Sequence, residues 1–273
     1  MLKKIKKDKI AMICIIILSI VCITGIFAEF IAPNDPYTPN ILNKYAGSSF
    51  EYPLGTDYLG RCILSRIIYG IRPTIFLSLF TMIFTIIIGG TIGIISGYFE
   101  GIVDEILMRI CDVMLSFPSQ VMILAVVGIL GAGIENVIIA NIIIKWAWYA
   151  RMIRGITIKY RYKNFMLYSK VIRSKFSYVF SNHLIPNITS EVIILATLDM
   201  GWVILSISTL SFLGLGVQAP NPEWGAMLSD AKNVISTEPM QMVAPGLAIL
   251  IVVAVFNLLG DSLRDLLDNK EIA

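Results

Sequence analysis

Apolar positions along the chain gather into long uncharged runs divided by short charged ones. Ile10 to Ala28 holds 19 residues without a charge, enough for a helix to cross a bilayer. It follows Lys3, Lys4, Lys6, Lys7 and Lys9, and no small-residue cleavage pattern comes after it. The expectation is a retained first span with its lysines inside, not a removed signal peptide. Glu29 to Arg72 is polar and punctuated by Pro33, Pro36, Pro39 and Pro53, which marks a loop. A second span is expected over Thr74 to Phe99, with Pro73 in its first turn and Gly89, Gly90, Gly93 and Gly97 admitting a close neighbour. A third runs to about Ile134 and should kink at Pro118. Three more follow at about Asn136–Ala150, Ile188–Leu215 and Gln241–Gly260. The pattern therefore predicts an all-α integral membrane protein with six transmembrane helices.

Six spans leave both termini on one side, and charge placement selects that side. Eight Lys or Arg and no acid lie between Arg151 and Lys175, whereas Val217 to Glu238 sets Lys232 against Glu223, Asp230 and Glu238. The termini and the basic segment are thus expected in the cytoplasm, although Lys44, Arg61, Arg66 and Arg72 in the first external loop run against the rule. The resulting organisation is a cytoplasmic N-terminus and first span over 1–32, an external loop over 33–72, and a core with five spans over 73–273.

Composition strengthens the membrane reading. Of 273 residues, 56% are hydrophobic and 15% charged, well under the share in soluble proteins. A net charge of +3 is too small to point to nucleic acid. Cys14, Cys22, Cys62 and Cys111 form no CxxC pair, and His183 is alone, so neither a metal site nor a cofactor is expected. Without a GxxxxGK[ST] loop the chain encodes no ATP hydrolysis, and no paired carboxylates, Ser-His pair or metal-spaced cluster within the spans supports an intramembrane enzyme. An internal repeat, frequent in secondary transporters, is also missing.

Between the fourth and fifth spans, Val171, Phe176, Val179, Phe180 and Leu184 keep approximately helical spacing among basic residues, and Pro186 ends the pattern. Such a segment either lies on anionic lipid or docks a partner. Two ionisable residues fall near mid-membrane depth. Lys145 is about nine residues into the fourth span and Asp199 about eleven into the fifth, or roughly 14–17 Å deep. They form a structural pair, or Asp199 lines a pathway that favours a cation with Lys145 modulating it. Trp146, Trp148 and Tyr149 read as interfacial residues, and Met227, Met240 and Met242 as packing residues.

The chain resembles the inner-membrane permeases of bacterial ABC importers. Their cytoplasmic motif, Glu-Ala-Ala, three residues, Gly, then Leu-Pro, falls on Leu167-Tyr168-Ser169, Arg173 and Ile185-Pro186, with the glutamate and glycine replaced. LGTDYLGRCILSRIIYG (Leu54–Gly70) and LSFLGLGVQAPNPEWGAML (Leu210–Leu228) resemble the C-type subunit of the dipeptide, oligopeptide and nickel group. GILGAGIENVIIA (Gly128–Ala140), WAWYARMIR (Trp146–Arg154), LATLDMG (Leu195–Gly201) and TEPMQM (Thr237–Met242) are most similar to nickel permeases.

The resemblance implies a type I importer fold in a bacterial inner membrane. Its partners would be a sister permease in a heterodimer, two cytoplasmic ATP-binding subunits and an extracytoplasmic binding protein. Leu167, Tyr168, Ser169, Arg173, Phe176, Tyr178, Ile185 and Pro186 would belong to a cytoplasmic coupling helix seated on an ATPase. The cargo would be nickel or a nickel chelate, with a peptide or a metal–metallophore complex as the alternative.

Overall fold

A computed structural model describes residues 8–268. Among them every regular element is helical. The α-helices are α1 (Lys9–Ile26), α2 (Ile63–Ile71), α3 (Leu77–Phe99), α4 (Gly101–Leu115), α5 (Ser119–Leu130), α6 (Ile134–Arg161), α7 (Asn164–Val171), α8 (Phe176–Val179), α9 (Ile185–Phe212), α10 (Trp224–Ala231) and α11 (Met240–Asp268). Two one-turn helices, Ala28–Ile31 and Ile41–Asn43, mark the loop after α1. The helices group into two compact units, one from 8–80, 127–138 and 197–268, the other from 81–126 and 139–196.

Lys9–Ile26, Ile63–Phe99, Phe176–Phe212 and Met240–Leu266 are long and apolar enough to cross a membrane. The bent pair α4–α5 makes a fifth if it counts as one span. The bend measures 83° and falls on Ser116–Pro118, where Pro118 was expected to kink the third run. The Ser116 hydroxyl bonds the Val113 carbonyl at 2.7 Å there, so one freed acceptor is satisfied locally. The run at 136–150 lies within α6, which continues to Arg161 and gathers Lys145, Arg151, Arg154, Lys159 and Arg161. That charge keeps α6 out of the set.

Two prolines that read as helix ends lie inside continuous helices. The second span begins at Ile63, not Thr74, and Pro73 sits in a π turn, Arg72–Phe76, joining α2 to α3. Pro186 is the second residue of α9, directly after the π turn Phe180–Leu184, where the Ile185 N–H reaches back to the Phe180 carbonyl. A wider turn moves the preceding carbonyl away from the pyrrolidine ring, so the chain keeps its direction without the missing donor.

In the first unit, α1 packs against α2 and α11. Its buried side comprises Ala11, Cys14 and Gly25, while Ile10, Ile13, Ile16, Ile20 and Ile23 point outward as a lipid-facing surface would. Asp8 caps this helix, accepting from the Ala11 N–H at 2.9 Å, and that bond holds its carboxyl below the usual carboxylate range. In the second unit α3 lies hard against α6. A Cβ at Gly89 would sit 2.5 Å from the Trp146 carbonyl oxygen, and one at Gly93 2.5 Å from that of Ala150. Only glycine permits that approach, as the spacing of the four glycines implied.

Candidate functional site

The stretch between α6 and α9 is two helices and a turn, not one amphipathic helix. In α7, Asn164, Leu167, Tyr168 and Val171 share one face at i, i+3, i+4 and i+7, and all are exposed. Leu167 is 44% exposed, Tyr168 66% and Val171 79%, and Ile172 extends the stripe. The opposite face holds Met166 and Ser169, both buried, with the Ser169 hydroxyl turned onto the Phe165 carbonyl at 2.9 Å. Exposed Lys163, Arg173 and Lys175 border the stripe.

The chain then turns sharply, because Arg173 adopts φ +52°, in the left-handed region. The Ser174 N–H closes the turn on the Ser169 carbonyl at 3.0 Å. The resemblance aligns this residue with the glycine of the permease motif, and the backbone here adopts a conformation that glycine favours. It also explains why Val171 and Leu184 do not share a face: the turn at Ile172–Lys175 resets the register, leaving Val171 outside and Leu184 fully buried.

Beyond the turn, Phe176 faces inward. Its ring centroid lies 4.9 Å from that of Tyr98, 4.9 Å from that of Phe99 and 5.7 Å from that of Phe180. Beneath it is a core of Ile94, Tyr149, Ile153, Met166, Val179, Leu184 and Ile188. Tyr149 is therefore a core residue, not an interfacial one. His183 packs between Phe165 and Tyr178. Tyr178, Ile185 and Pro186 are exposed.

Four of the eight basic residues in Arg151–Lys175 pair with acids, Arg154 and Arg161 partly buried and Arg151 and Lys159 at the surface. Arg154 grips Asp104 through two bonds of 2.5 and 2.6 Å, Arg151 pairs with Asp112 and Arg161 with Glu100, while Lys159 and the Tyr160 hydroxyl meet Glu191. The Ser96 hydroxyl completes the Asp104 site.

The first unit holds two clusters that sequence patterning did not single out. Arg61 and Arg66, both nearly fully buried, converge on Asp57. The Arg61 Nε donates to its carboxylate at 2.7 Å and the Arg66 Nε lies 3.6 Å away. Arg66 also donates to the carbonyls of Pro36 (3.0 Å) and Pro220 (3.4 Å), tying two loops together. Asp230 stands 3.8 Å from Arg61; burial pushes its carboxyl up, against the pull of the two guanidinia. In the second cluster the fully buried Glu223 carboxylate accepts from the hydroxyls of Thr74 (3.1 Å) and Ser208 (3.0 Å) and from the Ala226 N–H (2.8 Å). It caps α10 and fastens it to two long helices. A cavity of about 320 Å³ opens beside Ser208, between α9, α10 and α11. The signal for both clusters was the run of charged and aromatic residues in Leu54–Gly70 and Leu210–Leu228, readable only as resemblance.

Lys145 belongs to the second unit and Asp199 to the first. Lys145 is buried with its ammonium 5.0 Å from the Trp148 ring centroid, Asp199 is half-buried, and both engage other groups. Met227 is buried whereas Met240 is exposed. Among the described residues no group of three or more His, Cys, Asp or Glu is placed to hold a metal ion.

Comparison with known proteins bears directly on this arrangement. Residues 89–272 match the family of binding-protein-dependent transport system inner membrane components, and residues 1–47 match the N-terminal transmembrane domain of oligopeptide transport permease C. The chain is 38% identical over 268 residues to the dipeptide transport system permease of Alkalihalophilus pseudofirmus, covering 98% of this chain and 88% of that one. It is 41% identical over 269 residues to the metal-staphylopine import permease of Staphylococcus aureus (98% and 93%). It is 39% identical over 260 residues to the nickel transport permease of Escherichia coli K12 (95% and 93%). A chain of the inward-facing MetNI methionine ABC transporter superimposes with a TM-score of 0.59 at 16% identity, covering 73% of this chain and 95% of that one, so the fold is shared as well. The chain belongs to the binding-protein-dependent transport system inner membrane component family and is a permease subunit of an ABC importer.

Proposed function

We propose that the chain forms half of the translocation pathway for nickel or a nickel chelate, and that the exposed stripe of α7 docks it to a cytoplasmic ATP-binding subunit. In this reading a sister permease completes the pathway, a second ATPase serves the sister, and an extracytoplasmic binding protein delivers the cargo. Both termini and α7 face the cytoplasm of a bacterial cell membrane, six helices cross it, and ATP hydrolysis resides in the partners. The observation carrying the docking role is the stripe itself. Leu167, Tyr168 and Val171 stand in the open, bordered by basic residues, on a helix whose other face is sealed into the core. An exposed apolar surface with a charged rim fits a groove with an acidic margin. Ser169 and Phe176 support this helix from within, and Arg173 sets its exit.

The chain co-expressed with the transporter genes adjoining its own should purify with an ATPase, and Leu167→Asp with Val171→Asp should release that ATPase while the permease still inserts. Retention of the ATPase by this double variant overturns the docking role. For the cargo, uptake of nickel(II), its histidine complex, a metal–metallophore complex and a dipeptide is compared in cells with and without the chain. Loss of nickel uptake alone supports the nickel reading. Loss of dipeptide uptake supports the di- or oligopeptide alternative, and loss of uptake of a metal–metallophore complex alone supports the metallophore one; the dipeptide and metal-staphylopine relatives speak for these equally. In the pathway Asp199 favours a cationic cargo and Lys145 modulates it. Asp199→Asn should then abolish uptake with assembly intact, whereas loss of the folded permease would mark a structural role.

A further inference from the structure

The turn between α3 and α4 is held by the docking segment from two sides. Glu100 has φ +52° and ψ −172°, a backbone region essentially reserved for glycine, and is followed by Gly101 at φ +64°, so two successive residues at positive φ join α3 to α4, the first of them strained. The Glu100 carboxylate pairs with Arg161, the last residue of α6, and accepts from the Tyr162 hydroxyl at 3.3 Å. On the other side Tyr98 and Phe99, immediately before the turn, pack with tilted rings against Phe176, which immediately follows the exit of α7. Residues 161–162 precede α7 and residue 176 follows it, so both ends of the docking helix close on Tyr98–Phe99–Glu100. Met166, on the inner face of α7, enters the core that also holds Ile94 from α3.

From this geometry we infer that Tyr98–Phe99–Glu100 is the clamp through which movement of α7 is passed into α3 and α4, with the Glu100–Arg161 pair as its ionic jaw and Phe176 as its aromatic one. The inference rests on α7 being the ATPase-docking helix. Docking uses only the outer face of α7; transmission needs the inner contacts, and here they converge on three consecutive residues. Arg161 is mostly enclosed, at 12% side-chain exposure, and its guanidinium reaches the Glu100 carboxylate at the edge of the fold, where Glu100 itself is 42% exposed. The strain at Glu100 is retained where the chain must respond to a partner, as strained backbone often is at switch regions. Neither Glu100, Arg161 nor Phe176 presents its charge or ring on the docking stripe.

The test uses the complete transporter in proteoliposomes. The probe is whichever of nickel(II), nickel–histidine and dipeptide the unaltered complex takes up, and the readouts are bound ATPase, ATP hydrolysed, and solute moved per ATP. Glu100→Arg and Arg161→Glu should each keep the ATPase bound but lower solute moved per ATP by roughly five- to thirty-fold. The double exchange should restore it to within about threefold, since it returns opposite charges to the same two positions. Glu100→Gln, which keeps the shape of the side chain, serves if a reversal fails to assemble and should give a smaller loss of the same kind. The inference is overturned if the single variants transport normally per ATP. It is also overturned if their loss matches loss of bound ATPase, or if the double exchange fails to recover. Should the stripe variant Leu167→Asp with Val171→Asp keep its ATPase, the docking reading fails instead, which separates the two.

Discussion

Arginines in the two units serve opposite ends. In the first unit Arg61, Arg66 and Arg72 are consumed by loops. Arg72 donates to the Gly25 and Ile26 carbonyls at 2.8 and 3.0 Å and pairs with Glu29, closing the C-terminal end of α1. Arg66 spans Pro36 and Pro220. In the second unit Arg151, Arg154 and Arg161 leave one face of α6 for acids at Asp112, Asp104 and Glu100, stitching helix to helix along three levels. Lys163, Arg173 and Lys175 of the same unit stand exposed around the α7 stripe. A count of charges treats all of these alike. Placement separates loop fasteners, helix staples and an exposed basic rim. It also removes the conflict in the first loop, where three of the four bases that disturbed the charge rule are bound up internally.

The comparison breaks most sharply at Arg66. Replacing it with Met leaves Asp57 with one guanidinium and two carbonyls without their donor, at a cost of roughly 3–5 kcal/mol because one partner of a buried ion pair is gone. The expected outcome is loss of monodisperse protein in detergent, read by gel filtration and thermal unfolding. A variant as stable as the parent would mean that the loops are held by something else.

Arg154→Ala should cost less, about 1–3 kcal/mol, since Asp104 keeps the Ser96 hydroxyl and sits nearer to solvent. Arg154→Lys should recover only part, because a single ammonium cannot replace the two bonds of the guanidinium. Thermal midpoints of the three proteins decide it, and full recovery with Lys would show that charge alone holds α4 to α6. By contrast, Val171→Asp should change stability by no more than about 0.5 kcal/mol, as a substitution on an open surface does. A large loss there would place the stripe inside the permease and not on its outside.

These contrasts also mark what the sequence disclosed. Uncharged runs located the long helices because a bilayer imposes one length and one polarity. The kink at Pro118 and the glycine-lined contact of α3 were legible because each follows from the chemistry of a single residue. Pro73 and Pro186 misled for the same reason: a proline announces a missing donor, but not that a π turn will absorb it. The ion pairs were hidden because partners such as Arg154 and Asp104 stand 50 positions apart. In the segment between α6 and α9 helical spacing carried across Arg173 as if no turn were there, since arginine gives no sign of left-handed backbone.

That residue supplies the smallest and most specific test. A non-glycine residue at φ +52° costs about 1 kcal/mol relative to glycine, through contact of its Cβ with the following carbonyl. Arg173→Gly relieves this cost and also frees the unfolded chain, which partly offsets the gain. The net expectation is a rise in thermal midpoint equivalent to no more than about 1 kcal/mol. Arg173→Ala removes the same charge but keeps the Cβ, so it should show no such rise. If both weaken ATPase binding equally while only Gly stabilises the permease, backbone and charge at this turn have separate roles: one sets the exit of α7 and the other borders its docking face. If Ala and Gly unfold at the same temperature, the left-handed turn carries no strain, and the motif glycine must be explained by closeness of the partner instead.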